Sequence, residues 1–132
     1  RRSRAIAKKL TQSLPIDNVQ ELVKVITSCT PPHKRNRTIA RVFQAFRIAL
    51  NNELERLSEF LSNYIDYLEK GGKVVIISFH SLEDRLVKRN FKNYGNDGLL
   101  KILTKKPLRA TLEECKNNSR SKSAKLRCAE KI

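Results

Sequence analysis

The apolar positions of the first 30 residues recur at helical spacing and predict two short helices. Ile6 and Leu10 lie four residues apart in the first helix. Asp17 or Asn18 is expected to cap the second helix, with Glu21 three residues after Asn18 as in a capping box. The apolar stripe of this second helix comprises Val19, Leu22, Val23, Ile26 and Cys29. A pair of helices this short buries little surface by itself, so we expect it to pack against something else.

Residues 31–37 interrupt the helical pattern with a basic segment. Pro31 and Pro32 end the second helix, and His33-Lys34-Arg35-Asn36-Arg37 follows with almost no apolar surface. The segment is therefore predicted to be a loop. It is either a solvated linker or a loop that contacts phosphates.

A longer helical stripe begins at Ile39 and predicts a long helix, with a possible break near Asn63. The apolar positions, spaced by three and four, are Ile39, Phe43, Phe46, Leu50, Leu54, Leu57, Leu61, Tyr64 and Leu68. Gly71-Gly72 is expected to end this helix as a C-cap.

Residues 73–79 form a short, continuous apolar run that is rich in β-branched side chains. This pattern is typical of a central parallel strand that is covered on both faces. Ser81 is then predicted to cap a helix, with Glu83 and Asp84 in its first turn. The order of helix, strand, tight turn and helix indicates an α/β layered domain.

The remaining segments are shorter. Residues 99–103 are predicted to form a strand, Thr111 with Glu114 to cap one helical turn, and residues 123–128 to form an edge strand. Residues 117–123 are expected to be a polar, basic loop.

Charge adds the first functional indication. Lys and Arg number 28 against 13 Asp and Glu in 132 residues, a formal net charge of +15. A chain this basic is expected to attract polyanions, nucleic acid before an acidic membrane surface. The basic residues form three clusters: Lys34, Arg35, Arg37 and Arg41; Arg85, Lys88, Arg89 and Lys92; and Arg120, Lys122, Lys125 and Arg127.

The cysteine and methionine content indicates the cellular compartment and whether the chain begins at a native start. The three cysteines are far apart and odd in number, so neither a disulfide framework nor a metal site is expected, and a reducing cytoplasm fits best. The chain lacks an apolar run long enough for a transmembrane helix. It contains no Met, so we expect that its first residue is not a native start and that further sequence lies upstream.

Candidate chemistry is concentrated after the predicted strand. Ligands of parallel α/β sheets bind beyond the carboxyl ends of the strands. Ser78, Phe79, His80, Ser81 and Glu83 occupy that position. Phe79 is suited to stacking on a base, and His80 and the serines to hydrogen bonding. The alternative is that Ser81, Glu83 and Asp84 simply begin a helix.

A second candidate set lies along the preceding predicted helix. Arg47 and Asn51 are four residues apart, Gln44 lies one turn before Arg47, and Arg41 precedes them. These donors are suited to following an RNA backbone or holding a base. The alternative is that these polar residues form a solvated face of the helix while Phe43 and Phe46 are buried on another face.

Two segments carry a longer signature. Residues 43–54 read FQAFRIALNNEL, and residues 71–89 read GGKVVIISFHSLEDRLVKR. Together with Lys106-Pro107 and the SKSAKLR of residues 121–127, they resemble motifs of the bacterial 16S rRNA cytosine-N4 methyltransferase family, also called MraW or RsmH. The resemblance covers about residue 41 to the end.

This resemblance implies an α/β fold: the C-terminal portion of a Rossmann-like class I methyltransferase core, preceded by part of a helical insertion domain. Residues 1–32 would belong to the helical, substrate-recognition domain and residues 33–132 to the core. It implies methyl transfer from S-adenosyl-L-methionine to N4 of a cytidine in 16S rRNA, in the cytoplasm and not at a membrane. The family's glycine-rich cofactor loop is absent from these residues. Cofactor-binding residues are therefore expected upstream, and the chain alone is expected to be inactive.

The strand-end position, the helical spacing and the basic clusters, together with the resemblance, suggest roles for individual residues. The candidates for catalysis are Ser78, His80 and Glu83. The candidates for RNA binding are Lys34, Arg35, Arg37, Arg41, Gln44, Arg47, Asn51, Phe79, Ser81 and Lys122. The alternative functions are a non-catalytic basic RNA-binding module and a structural adaptor on a ribosomal particle. A homodimer is a further possibility, because a partial sheet exposes edges that a second copy could pair with.

Overall fold

The computed structural model describes residues 2–132, which form two compact units that divide between Asn51 and Asn52. The described part of the first unit contains α1 (Arg2–Gln12), α2 (Val19–Ser28), a 3-10 helix (Pro32–Lys34) and α3 (Arg35–Leu50). The second contains α4 (Glu53–Asn63), a 3-10 helix (Tyr64–Tyr67), β1 (Lys73–Ser78), α5 (Ser81–Asn96), β2 (Leu100–Ile102), α6 (Leu112–Asn117), a 3-10 helix (Ser119–Ser123) and β3 (Lys125–Lys131). The mixture of helices and strands agrees with the predicted α/β class. The predicted assignment of residues 1–32 and 33–132 to two parts of a methyltransferase stays a prediction.

The first two helices are confirmed, including the cap of the second. The Asn18 Oδ1 accepts a hydrogen bond from the backbone N–H of Glu21 at 2.9 Å. The Glu21 carboxylate in turn accepts from the backbone N–H of Asp17 at 3.2 Å. Ile6 of α1 and Ile26 of α2 are buried in this unit.

The third helix differs from expectation in its start and in its burial. It begins at Arg35, so the prediction of a loop across residues 31–37 is wrong. The physical reason is that proline suits the first turn of a helix: Pro32 opens a 3-10 turn that leads directly into α3. Phe43 and Phe46 are 36% and 41% exposed, so the alternative in which both are buried is also wrong.

The predicted long helix is divided in two places. Asn52 has a φ of 51°, a left-handed conformation that asparagine tolerates better than most residues, and it separates α3 from α4. A 3-10 helix replaces the α-helix after Asn63, close to the predicted break. Because that helix ends at Tyr67, Gly71-Gly72 is not its C-cap. Gly71, with a φ of 79°, instead forms the turn into β1 and donates its N–H to the carbonyl of Lys131 at 2.8 Å.

The three described strands form one sheet in the order β1-β3-β2, and both pairings are antiparallel. β1 and β2 are therefore parallel to each other, with β3 between them. Among residues 2–132, β1 is an edge strand in which Val74 and Ser78 are buried while Val75 and Ile77 are 55% and 53% exposed. The prediction of a central parallel strand covered on both faces is wrong for this part of the chain.

The predicted edge strand at residues 123–128 lies at the centre of the described sheet, as β3. Its alternating cationic positions suggested solvent exposure, but Arg127 is only 6% exposed because a carboxylate pairs with it. The short strand at 99–103 and the Thr111-capped turn are confirmed as β2 and α6. Residues 119–123 form a 3-10 helix within the predicted polar loop.

In the second unit, α5 packs on the sheet and α4 packs on α5, and the core lies among these elements. Its buried residues are Leu61, Tyr64, Ile65, Val74, Val87, Phe91, Leu100 and Ala129. Asn90 joins the two helices: it accepts from the hydroxyl of Tyr64 at 3.0 Å and donates to the carbonyl of Leu61 at 2.7 Å. This packing fixes the start of α5 relative to the end of β1.

Within residues 2–132, the helices are too short or too polar to cross a bilayer.

Candidate functional site

The turn between β1 and α5 is closed by a reciprocal set of hydrogen bonds. His80, and not Ser81 as predicted, is the N-cap of α5, and its Nδ1 accepts from the backbone N–H of Glu83 at 3.3 Å. The Glu83 carboxylate accepts from the backbone N–H groups of Phe79 at 2.8 Å and His80 at 3.1 Å. Histidine replaces the usual hydroxyl in this capping box because its ring nitrogen offers the same acceptor.

These hydrogen bonds determine the protonation pattern of the His80 ring. A ring nitrogen that accepts a hydrogen bond carries no proton, so the proton of the neutral ring lies on Nε2. The His80 side chain is 7% exposed, and its Nε2 lies 3.4 Å from Glu83 Oε1 and 3.9 Å from Glu53 Oε2. Neither approach has hydrogen-bond alignment, and Nε2 has no hydrogen-bond partner among the described residues. His80 thus presents a buried donor toward two carboxylates.

The grouping of Glu53, His80 and Glu83 resembles a metal site, because one potential ligand atom from each lies within 4.8 Å of the others. A histidine ligand, however, usually binds metal through one nitrogen and donates the proton of the other. Here Nδ1 accepts a hydrogen bond and Nε2 presents its proton toward the carboxylates. The arrangement therefore favours imidazole–carboxylate contacts over metal binding.

The turn residues differ in what a ligand could reach. Ser78 is 2% exposed at the end of β1, where it pairs with Lys125 of β3. Phe79 is 52% exposed, and Ser81 is exposed at the start of α5. Of the residues predicted at this turn, Phe79 and Ser81 are available for contact, whereas His80 and Glu83 hold the turn together.

Asp84, predicted only as a helix-start acid, connects α5 to β3. Its carboxylate accepts from Arg127 Nε at 2.7 Å and from Lys125 Nζ at 3.0 Å. Burial alone would raise the pKa of Asp84, but the hydrogen bonds from Arg127 and Lys125 outweigh it and lower that pKa below its ordinary value. The sequence carries no local sign of this cluster, because Asp84 is more than 40 positions from both of its partners.

Glu53 is the other residue that sequence reasoning missed. It lies in the first turn of α4 and approaches His80 across the fold. The signature at residues 43–54 already contained this glutamate, and that was the available signal.

The predicted RNA-binding residues are divided between the two units. Lys34, Arg35, Arg37, Arg41, Arg47 and Asn51 are exposed in the first unit, and Gln44 is half-buried there. Lys122 is exposed in the 3-10 helix before β3 of the second unit. In the first unit, Lys34, Arg37 and Arg41 join Arg2 and Thr38 around a cleft of about 280 Å³. This cleft brings together basic residues from α1, from the 3-10 helix and from the first half of α3.

Fold and site together define a mixed helix–strand protein with a strongly basic surface and a sealed turn between a strand and a helix. The family model of the MraW methylases matches residues 1–132. The chain therefore belongs to the MraW methylase family.

Curated relatives agree with this family. The chain is 48% identical over 135 residues to the ribosomal RNA small subunit methyltransferase H of Trichodesmium erythraeum, covering 100% of this chain and 47% of that relative. The protein of the same name in Nostoc sp. is 49% identical, over 99% of this chain and 43% of its own length. That of Thermotoga neapolitana is 47% identical, over 100% of this chain and 45% of its own length. The chain thus spans less than half the length of these relatives.

Proposed function

We propose that this chain is part of an S-adenosyl-L-methionine-dependent methyltransferase that modifies N4 of a cytidine in 16S rRNA. Family membership over all 132 residues is the observation that carries the proposal. The net charge of +15 supports a polyanionic substrate, and the small ribosomal subunit is the proposed partner. Reaction at an aromatic amine depends on alignment, because the nitrogen lone pair is delocalised into the ring.

The described residues do not fit the cofactor's own binding site. In Rossmann-like folds, a nucleotide-type cofactor binds at a glycine-rich turn that leads from a strand into a helix. The strand-to-helix turn at residues 78–81 contains no glycine, and the four glycines of the chain lie elsewhere. We therefore expect the 132-residue chain alone to bind S-adenosyl-L-methionine weakly and to be inactive. Tight binding in a calorimetric titration would contradict this expectation.

The geometry supports a division of roles at the turn. We propose that the exposed Phe79 and Ser81 contact the target base. His80 and Glu83 act as positioning residues, because their side chains close the capping box, and buried Ser78 anchors the end of β1. Arg47, Gln44 and Asn51 are proposed to contact RNA in the first unit, and Lys122 in the second.

A chimera tests the activity. Residues 1–132 would replace the matched segment of the Thermotoga neapolitana relative, and methyl transfer to small ribosomal subunits would be measured with radiolabelled S-adenosyl-L-methionine. We expect a methylated cytidine at the position that the parent enzyme modifies. A folded chimera that lacks activity, beside an active parent, would reject the proposal.

Substitutions in the chimera test the site. His80→Asn keeps a cap acceptor for the Glu83 N–H but removes the Nε2 proton, whereas His80→Ala removes both. If His80 acts only by holding the turn, His80→Asn should retain most of the activity and His80→Ala should lose it.

Phe79→Ala and Arg47→Ala should reduce single-turnover rates without unfolding the protein. Unchanged rates in both would reject the site assignment.

The rival function is a basic RNA-binding module without catalysis. The sheet edge and exposed cations are compatible with it, but family membership favours the enzyme. A chimera that binds RNA as tightly as its parent yet transfers no methyl group would favour the module.

A further inference from the structure

The first unit contains two adjoining depressions of opposite character. One is an apolar cavity of about 400 Å³, lined by residues that include Ile6, Leu10, Val42 and Phe46. The other is the basic cleft of about 280 Å³ around Thr38. Arg2, Thr38 and Arg41 line both, so the two form one continuous feature on the described part of this unit.

The basic cleft has the charge expected of a phosphate site. Its four cations are Arg2, Lys34, Arg37 and Arg41, and no carboxylate lines it. In residues 2–132, none of these four takes part in an ion pair. The sequence of residues 1–51 contains eleven Lys and Arg but only two acidic residues, Asp17 and Glu21. Mutual repulsion of clustered cations is relieved when an anion binds among them.

A nucleotide also has a base, and the apolar cavity is suited to bind it. Phe46 lines it and remains 41% exposed, so part of this aromatic side chain is accessible to a planar partner. Sites for single-stranded nucleic acid combine a cationic groove for the backbone with aromatic rings on which bases stack. A cavity of this size is within the range of small-molecule sites.

We propose that the first unit binds one nucleotide of single-stranded RNA, with its base in the apolar cavity against Phe46 and its phosphate in the cleft of Arg2, Lys34, Arg37 and Arg41. This inference rests on the proposed function for its choice of RNA, and it adds a base-holding site made of other residues than those of the β1–α5 turn. The positive rim argues for a polyanion over an apolar peptide segment as the occupant.

The test measures binding of the 132-residue chain to a short, labelled single-stranded oligoribonucleotide, by fluorescence anisotropy at several salt concentrations. Arg37→Glu with Arg41→Glu should weaken binding roughly tenfold or more, and should lower the slope of log affinity against log salt by about one to two. Lys8→Glu with Lys24→Glu is the matched control, because Lys8 and Lys24 are exposed cations of the same unit outside the cleft. Equal losses in the two variants would overturn the phosphate site.

The base-binding half has its own control. Phe46→Ala should weaken RNA binding roughly tenfold through lost stacking, but should leave binding of inorganic polyphosphate unchanged. Phe43→Ala removes a similarly exposed ring from the same helix but outside the cavity, and should change neither. If Phe46→Ala lowers the melting temperature but leaves RNA affinity unchanged, the cavity is covered by polypeptide and the proposal is wrong.

These outcomes are separate from those of the proposed function. If the cleft variant binds RNA no more weakly than its control while the chimera still transfers methyl groups, only the nucleotide site is overturned. Failure of methyl transfer with the expected cleft and Phe46 effects rejects the enzymatic function and leaves the nucleotide site standing.

Discussion

The two compact units contrast in what holds them together and in what they expose. The described part of the first unit buries few side chains, chiefly Ile6, Ile26 and Thr30, and α3 buries none. The second has a continuous core of eight buried residues between two helices and a sheet. The first carries eleven basic against two acidic residues, and the second seventeen against eleven. An excess of like charge lowers stability through repulsion, whereas the core of the second unit supports its turn.

Loss of a core ring should have the largest effect on this contrast. Phe91, which is 2% exposed, packs in the second unit, so Phe91→Ala should lower the free energy of unfolding by about 3–5 kcal/mol. Phe46→Ala, at 41% exposure in the first unit, should cost well under half as much. Urea unfolding followed by circular dichroism would measure both. Similar losses would contradict the difference in packing.

Loss of the Asp84 carboxylate should follow in magnitude. Asp84→Asn leaves Arg127, which is 6% exposed, without its partner and should destabilise the second unit by about 3 kcal/mol at neutral pH. Asp97→Asn, at the exposed end of α5, is the matched control and should change little.

The pH dependence of this difference has a defined sign. The pKa of Asp84 is lowered in the folded state, so its contribution is complete above the unfolded value of about 3.9 and is lost as pH falls through the folded pKa. The gap between wild type and Asp84→Asn should therefore close in acid. A gap that persists undiminished well below that pKa would contradict the pairing.

Charge reversal should weaken RNA binding more in the first unit than in the second, with little difference in stability. Lys34→Glu with Arg35→Glu in the first unit should weaken RNA binding roughly tenfold, and more at low salt. Lys88→Glu with Arg89→Glu, on the exposed surface of α5, is the paired change in the second unit and should have the smaller effect. Equal losses would show that RNA binding follows total charge alone.

The smallest expected effect is at a helix cap. Asn18→Ala removes the acceptor for the Glu21 N–H and should lower stability by about 1 kcal/mol, confined to α2. Hydrogen exchange of the α2 amides should increase while that of the second-unit core stays unchanged. Increased exchange in both would show that the units unfold together.

Local patterns in the sequence were sufficient for most of the elements. The stripes around Ile6 and Ile26, the Asn18 cap and the Thr111 turn were predicted because the residues that determine them lie within a few positions of one another. The position of a turn and a helix directly after β1 also followed from order along the chain. The identity of the cap at that turn did not, because a histidine acceptor is less familiar than a serine.

The sequence by itself determined the family, the excess of positive charge and the helical and extended segments, since each is written in composition or short-range spacing. Only the tertiary structure decided that β3 lies between β1 and β2, that Asp84 pairs with Arg127, and that Glu53 approaches His80. Those contacts join residues 27 or more positions apart. Their partners are selected by packing of the whole second unit, which no local pattern records.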